Sequence, residues 1–166
     1  AATPIAMGQC GLPFSDSTWV LQWHVLGMFV PSFFTGSVIK RVGVMPVLWV
    51  GVLLNLGCVA VALSGQGLEQ FTVALLLLGV GWNFLYVGGT TLFTQAYRPE
   101  EKTRAQGLMD TWVYLTMTLT SFSSGALVTT GGWVWMNEAS LLPILLAGLA
   151  LAWLGLKRRA GAVTVG

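Results

Sequence analysis

The chain has 166 residues, of which 55% are hydrophobic and only 8% are charged, and its mean hydropathy is +0.75. A soluble domain carries about 25% charged residues, because its surface has to face water. The composition therefore excludes a soluble globular protein and indicates a polytopic membrane protein. The formal net charge is only +2, and the basic residues occur in short clusters beside apolar runs, so we expect no nucleic-acid partner.

The apolar runs are each about as long as a helix that crosses the hydrocarbon core of a bilayer, which needs about 20 residues. Since lipid offers no hydrogen bonds to the backbone, such segments have to be helical. The predicted fold class is all-α, a polytopic membrane bundle with five complete transmembrane helices plus the end of a sixth. The complete spans are predicted at residues 19–39, 44–63, 71–93, 107–128 and 139–156, and residues 1–7 are interpreted as the end of a truncated span in one transmembrane domain.

Two prolines mark local features of these helices. Pro31 lies inside the first span, where we expect a kink and a neighbouring helix that supplies hydrogen bonds to the freed carbonyl. Pro99 is followed by Glu100 and Glu101, which predicts a helix start, because proline fits the first turn and carboxylates favour the positive end of the helix dipole. Residues 129–138 are predicted to form an outer loop.

The basic residues predict the orientation of the chain. They fall at residues 40–41, 98–104 and 157–159, whereas the alternate loops at residues 8–18, 64–70 and 129–138 contain no lysine or arginine. Loops rich in these residues stay on the cytoplasmic side. We therefore predict an integral protein of the plasma (inner) membrane whose C-terminus is cytoplasmic.

Ionisable groups inside a span are costly and are functional candidates by default. His24 lies on a small, polar face of the first span, and its charge changes near neutral pH, so it is a candidate for proton coupling. A neutral histidine bonded to a neighbouring helix is the alternative. Asp110 is a second candidate for proton coupling, near the inner end of the fourth span. Its alternative is a structural role, in a pair with Arg104 or in contact with water.

Polar side chains in the third and fourth spans are candidates for a substrate pathway. Asn83, Tyr86 and Thr90 form a stripe along the third span, and Tyr114 shares a face with Asp110 in the fourth. Such groups either line a pathway and bind a solute or join helices to one another. A lining role is the interpretation we favour for these four residues.

The sequence shows no catalytic or metal-binding pattern. It has no paired nucleophile and base, no glycine loop for phosphate, and only one histidine with two distant cysteines. We therefore expect no enzyme activity, no metal and no cofactor. The predicted partners are the lipid bilayer and a small-molecule substrate.

The run Gly36-x-Val38-x-Lys40-Arg41-x-Gly43 resembles a cytoplasmic loop motif of the major facilitator superfamily, Gly-x-Leu-x-Asp-Arg-x-Gly-Arg-Arg. Residues 98–107 are similar to the inner loop before the fifth helix of a half in that family, and residues 124–133 resemble the end of that helix. The resemblance implies the C-terminal half of a transporter, from the end of helix 7 to helix 12. The missing N-terminal half of the same polypeptide would be a further partner.

The motif departs from the family most clearly at its charged positions. Lys40 stands where the motif has aspartate, and Val44 and Met45 stand where it has its last two basic residues. In the family this loop helps to latch the two halves together on the cytoplasmic side. Because Lys40 cannot act as a carboxylate, the resemblance implies a weaker or different latch here.

The resemblance also implies the function, which is secondary transport of a small organic solute by alternating access, coupled to protons. A membrane scaffold or accessory subunit that does not transport is the alternative. It would assemble through helix faces rich in small residues, since these permit close packing in lipid. The two hypotheses differ in whether His24 and Asn83 are needed for activity.

Overall fold

The structure, a computed structural model, describes residues 2–163, with side chains as far as residue 158. The described part is helical and contains no strand, which confirms the predicted all-α fold class. Residue 1 of the predicted truncated span lies outside the described residues. The helices are α1 (Ala2–Gln9), α2 (Phe14–Phe29), α3 (Ser32–Val42), α4 (Val44–Ser64), α5 (Leu68–Phe93) and α6 (Lys102–Val163), with a short 3₁₀ helix at Pro99–Glu101.

Four helical segments are long and apolar enough to cross a membrane: Phe14–Val42, Val44–Ser64, Leu68–Phe93 and Pro99–Arg158. The first of them joins α2 to α3, and the last contains most of α6. Helices α4 and α5 begin and end within a few residues of the predicted spans, because turn residues bound both apolar runs. The described chain is therefore built as the membrane bundle that its composition predicts.

Helix α6 doubles back at Gly132, so it supplies two crossings rather than one. Gly132 has a φ of +80° and a ψ of 177°, which only glycine adopts readily. Before this break Gln106 bonds to Tyr97, and after it Arg158 bonds to Gln95, so both ends of α6 lie beside the end of α5. We call residues 102–131 the first arm of α6 and residues 133–163 its second arm.

The predicted outer loop at residues 129–138 is wrong in its extent. The residues on either side of Gly132 are helical, and the reversal needs only this one residue. Trp133 lies directly after the break, where its indole Nε1 donates to the carbonyl of Ala62 at 2.9 Å. This bond fixes the start of the second arm against the end of α4, since Trp133 is buried there.

The basic residues of α3 and α6 gather at one end of the bundle, which we call the basic end. There Lys40 and Arg41 occupy the last turn of α3, and Arg158 lies beside the segment that follows α5. At the opposite end an apolar core joins α1, α2, α4, α5 and α6. Within it the ring of Phe71 packs edge to face on Trp133, with ring centroids 5.0 Å apart.

Helix α5 lies at the centre of the bundle, because it packs on both α2 and α4. Its glycines allow this close approach. A side chain at Gly79 would collide with the backbone of α2 around Gly27, and one at Gly81 would meet the backbone of α4 at Gly51. Packing between small residues is the usual route to close helix contacts in lipid. The position of α5 decides where its polar and aromatic side chains point.

The kink expected at Pro31 is present. Helix α2 ends at Phe29, with the N–H of Val30 still donating to Leu26 O, and α3 starts at Ser32 directly after the proline. Among the described residues no backbone N–H bonds to the carbonyl of Met28. The side chain of Asn83 on α5 supplies that bond at 2.7 Å. Asn83 thus bonds a carbonyl at the break, whereas the carbonyl that Pro31 itself frees is that of Gly27, four residues earlier, so a partner for that carbonyl stays a prediction.

Candidate functional site

Asn83 is fully buried at the contact of α5 with α2 and α3, with 1% of its surface exposed. Its amide nitrogen donates to Met28 O and to the hydroxyl of Ser32, and its amide oxygen lies 2.7 Å from the hydroxyl of Thr35. Two roles were open for Asn83, which were to line a pathway or to join helices, and these contacts join helices. A role in the passage of a solute stays a prediction.

Tyr86 and Thr90 follow one turn and two turns later on α5. Thr90 is half-buried, and its hydroxyl donates to Tyr86 O at 2.7 Å within the helix, so its oxygen keeps a free acceptor position. The ring of Tyr86 stacks on Trp82, with centroids 4.8 Å apart and planes 7° from parallel. The two rings thus lie face to face as a stack, in which each ring covers part of one face of the other, and together they make one aromatic surface.

This surface forms one wall of a groove between α5 and the first arm of α6. The groove has a volume of about 410 Å³. Its α5 wall contains Trp82, Leu85, Tyr86 and Gly89, and its α6 wall contains Met109, Trp112, Val113, Thr116 and Met117. Aromatic rings and thioethers dominate the lining, and none of these side chains is charged. The groove therefore offers apolar and aromatic contacts and no charge.

Asp110 and Tyr114 lie at the edge of this groove rather than in its lining. At about 100° per residue, Asp110 projects about 20° beyond Met117, and Tyr114 about 60° beyond it. Asp110 is half-buried, whereas Tyr114 is 66% exposed. Neither residue therefore lines the groove, and the roles predicted for them stay predictions.

His24 lies elsewhere, at the contact between α2 and α5. Its Nδ1 is 2.9 Å from the carbonyl oxygen of Leu75. Because a carbonyl oxygen can only accept, Nδ1 carries the proton in the neutral ring and Nε2 is the atom left to take up another. Leu75 precedes Trp82 by seven residues, or about 10 Å along the helix. The structure thus does not bring His24 together with the groove.

The loop motif ends in a connection of one residue between α3 and α4. Helix α3 runs to Val42, three residues beyond the predicted end of its span, and Gly43 alone separates it from α4. Gly43 has a φ of +88°, which suits glycine. Lys40 and Arg41 therefore lie exposed on the last helical turn, and Gly36 is also open, with no atom within 4 Å of a side chain added there.

Sequence reasoning predicted Tyr86 but missed the two tryptophans and the two methionines that line the groove with it. Trp82 lies near the middle of α5, and Trp112 lies three turns inside α6. Tryptophans in membrane proteins collect at the two interfaces, so a tryptophan at mid-span is a signal in itself. The spacing of Trp82 and Tyr86, four residues apart, was a second signal, because such residues share a helix face.

The fold and the groove together define a helical membrane protein with an apolar, aromatic cleft between two of its spans. The chain belongs to the major facilitator superfamily, whose family model matches residues 1–165. The resemblance found in the loop motif is thereby confirmed.

Three curated relatives are informative. The chain is 39% identical to the riboflavin transporter RfnT of Brucella anthropi over 136 residues, which are 82% of this chain and 34% of that protein. It is 29% identical over 153 residues to the uncharacterized MFS-type transporter YddS of Bacillus subtilis, covering 91% of this chain and 35% of the relative. For YdeG of the same organism the identity is 30% over 128 residues, or 76% of this chain and 30% of the relative.

The chain thus spans about a third of the length of these relatives. No solved structure matches it significantly. The relatives are transporters rather than enzymes, and the chain is an integral membrane protein like them.

Proposed function

We propose that the chain is part of a secondary transporter that carries a small organic solute by alternating access. The observation that carries this proposal is the groove of about 410 Å³ between α5 and the first arm of α6. In this proposal the groove is one wall of the solute pathway, and the rest of the polypeptide, including an N-terminal half, supplies the facing wall. Membership in a family of transporters supports it.

The chemistry of the groove indicates the class of solute. Its volume falls within the range of small-molecule sites, about 300–1,000 Å³. The stacked rings of Trp82 and Tyr86 present a π surface, and Trp112 lines the opposite wall. A planar aromatic molecule can stack on such a surface, a contact worth about 1–3 kcal/mol per ring for nucleic-acid bases. Riboflavin is the first solute to test, because RfnT is named for its transport.

The experiment expresses the longest open reading frame that contains the chain in a riboflavin-auxotrophic host and measures uptake of labelled riboflavin. We expect Trp82→Ala to raise KM about 5- to 150-fold, which corresponds to about 1–3 kcal/mol of lost stacking. Trp82→Phe keeps a ring and should retain most of the affinity. Trp135→Ala is the matched control, because Trp135 is exposed and lies outside the groove.

The groove is not the pathway if Trp82→Ala and Trp112→Ala both transport like the wild type while surface expression is equal. If the protein is a scaffold that does not transport, the variants would also match the wild type, but the wild type itself would take up no solute. Uptake of another planar solute but not of riboflavin would support the groove as the pathway and show that riboflavin is not the substrate. The three outcomes therefore separate the site, the solute and the function.

We propose that transport is coupled to protons and that His24 is the main titrating group, with Asp110 as the second candidate. Nε2 of His24 has no hydrogen-bond partner among the described residues, while Nδ1 is held by Leu75 O, so the ring is oriented to exchange a proton at one nitrogen. His24→Gln should abolish accumulation driven by a pH gradient but keep solute exchange at equilibrium. Loss of both activities, or of neither, would contradict this role.

The proposed orientation places the basic end in the cytoplasm of a cell bounded by the plasma (inner) membrane, with the C-terminus on the same side. Cys10, which is exposed near the opposite end, provides a test. In a Cys58→Ala background, a membrane-impermeant maleimide should label Cys10 in intact cells. A cysteine placed at Gln95, with Cys10 also replaced, should react only after the membrane is opened. The reverse pattern would invert the proposed topology.

A further inference from the structure

Helix α3 is held to the bundle much more weakly than the helix that precedes it. Its only buried residue is Thr35, whereas Phe33 and Phe34 are 82% and 66% exposed. Helix α2, by contrast, packs closely on α5 through Gly27. The first membrane span thus consists of a firmly packed part and a loosely packed part, and they meet at the Pro31 break.

The backbone at this break lacks the bonds that keep a helix rigid. Pro31 has no N–H, and among the described residues the carbonyl of Met28 accepts no backbone hydrogen bond. Bonding resumes with a long bond of 3.4 Å from the N–H of Phe33 to Val30 O, followed by Phe34 and Thr35, whose N–H groups both donate to the carbonyl of Pro31. Few backbone bonds therefore resist a change of angle between α2 and α3.

One side chain of α5 replaces the missing bonds. Asn83 contacts the last turn of α2 through Met28 O and the first turn of α3 through the hydroxyls of Ser32 and Thr35. The Thr35 hydroxyl also lies 2.8 Å from Pro31 O, so by rotating its O–H it can donate either to Pro31 O or to the amide oxygen of Asn83. If the Asn83 contacts open, α3 loses its only buried anchor.

We propose that the Pro31 break is a hinge and that Asn83 is its latch. With the latch closed, α3 lies against α4 and α5. When the amide of Asn83 releases Ser32 and Thr35, α3 swings and carries the exposed cations Lys40 and Arg41 with it. Asn83 acts here as a positioning residue, and the hinge needs no assumption about the solute.

Hydrogen exchange measured in lipid nanodiscs tests the latch. Thr35→Val removes the hydroxyl that holds Asn83, whereas Thr35→Ser keeps it and serves as the matched control. We expect amides of residues 32–42 to exchange at least tenfold faster in Thr35→Val and in Asn83→Ala, which corresponds to about 1.4 kcal/mol of lost local stability. Thr35→Ser should exchange like the wild type, and α4 should be unchanged in all three variants.

Spin-label distances test the movement itself. With Cys10 and Cys58 replaced, labels at Ser37 and Thr94 report on α3 against α5. Labels at Gln22 and Val73 report on the rigid α2–α5 contact. Thr35→Val should add a second distance to the first pair and leave the reference pair unchanged. The proposal is overturned if exchange rises equally in every helix, if residues 32–42 keep wild-type exchange, or if the Ser37–Thr94 distance stays single.

Discussion

The contact between α2 and α5 gives the sharpest test of how this bundle is held together. Gly79 of α5 faces the backbone of α2, and a methyl carbon added at Gly79 would lie 3.1 Å from both Gly27 C and Met28 N. It would collide still more closely with the carbonyl oxygen of His24. Since all three are backbone atoms, they cannot turn aside as a side chain would. Gly79→Ala must therefore push the two helices apart.

The magnitude follows from two opposing terms. Overpacking a closely packed contact costs about 1–3 kcal/mol, while replacing glycine by alanine inside a helix gains up to about 1 kcal/mol. With the middle of the overpacking range, about 2 kcal/mol, and a gain of up to about 1 kcal/mol, the net expectation is a loss of about 1–2 kcal/mol. For a chain of this size, 1 kcal/mol shifts Tm by about 2–4 °C, so Gly79→Ala should lower Tm by about 2–8 °C.

Cys58 provides the assay, because its thiol is buried and free in the folded chain. With Cys10 replaced by serine, a thiol-reactive fluorescent dye reports unfolding when Cys58 becomes accessible. The control is Gly89→Ala in the same helix, where an added methyl meets no atom within 4 Å, so its Tm should stay equal or rise. The reasoning is refuted if Gly79→Ala melts no earlier than the wild type, or if Gly89→Ala melts as early as Gly79→Ala.

Two further predictions concern the break in α6 and use the same thermal assay. Gly132→Ala should lower the free energy of unfolding by about 1–3 kcal/mol, because a φ of +80° with a ψ of 177° strains any residue with a Cβ. Gly125→Ala is the control, since Gly125 is helical and open, and it should be neutral or stabilising. Equal Tm values for the two variants would contradict this. Trp133→Phe keeps the ring but loses the bond to Ala62 O, so we expect a loss of about 0.6–1.7 kcal/mol, and an unchanged Tm would show that this bond is not stabilising.

The sequence was enough to predict the helices, because each depends on a long apolar run. It was not enough to predict the reversal in α6. Residues 129–138 contain threonines, glycines and tryptophans that are typical of a loop, yet a single glycine at positive φ makes the turn. The composition of these residues predicts a loop, but the chain reverses because of the backbone conformation of one glycine. That conformation is fixed by contacts such as Trp133 with the end of α4, which lie far away in sequence.

The candidate site shows a second limit of prediction from the sequence, which does not tell which neighbouring helix a given face contacts. Asn83 and Tyr86 are three residues apart and looked like one polar stripe. At about 100° per residue they are about 60° apart around α5, so their side chains contact different neighbouring helices. Asn83 faces α2 and α3 and joins helices, while Tyr86 faces the groove.

This difference in direction explains why α5 takes part in both the hinge and the groove. Helix α5 bonds the hinge of the first span through Asn83 and lines the groove through Trp82, the residue next to it in the chain. A movement of α3 that breaks the Asn83 contacts therefore acts on the helix that carries the aromatic wall. If the hinge and the groove belong to one cycle, a planar solute bound at Trp82 should change the exchange of residues 32–42. Solute that leaves this exchange unchanged while binding is retained would show that the two features act separately.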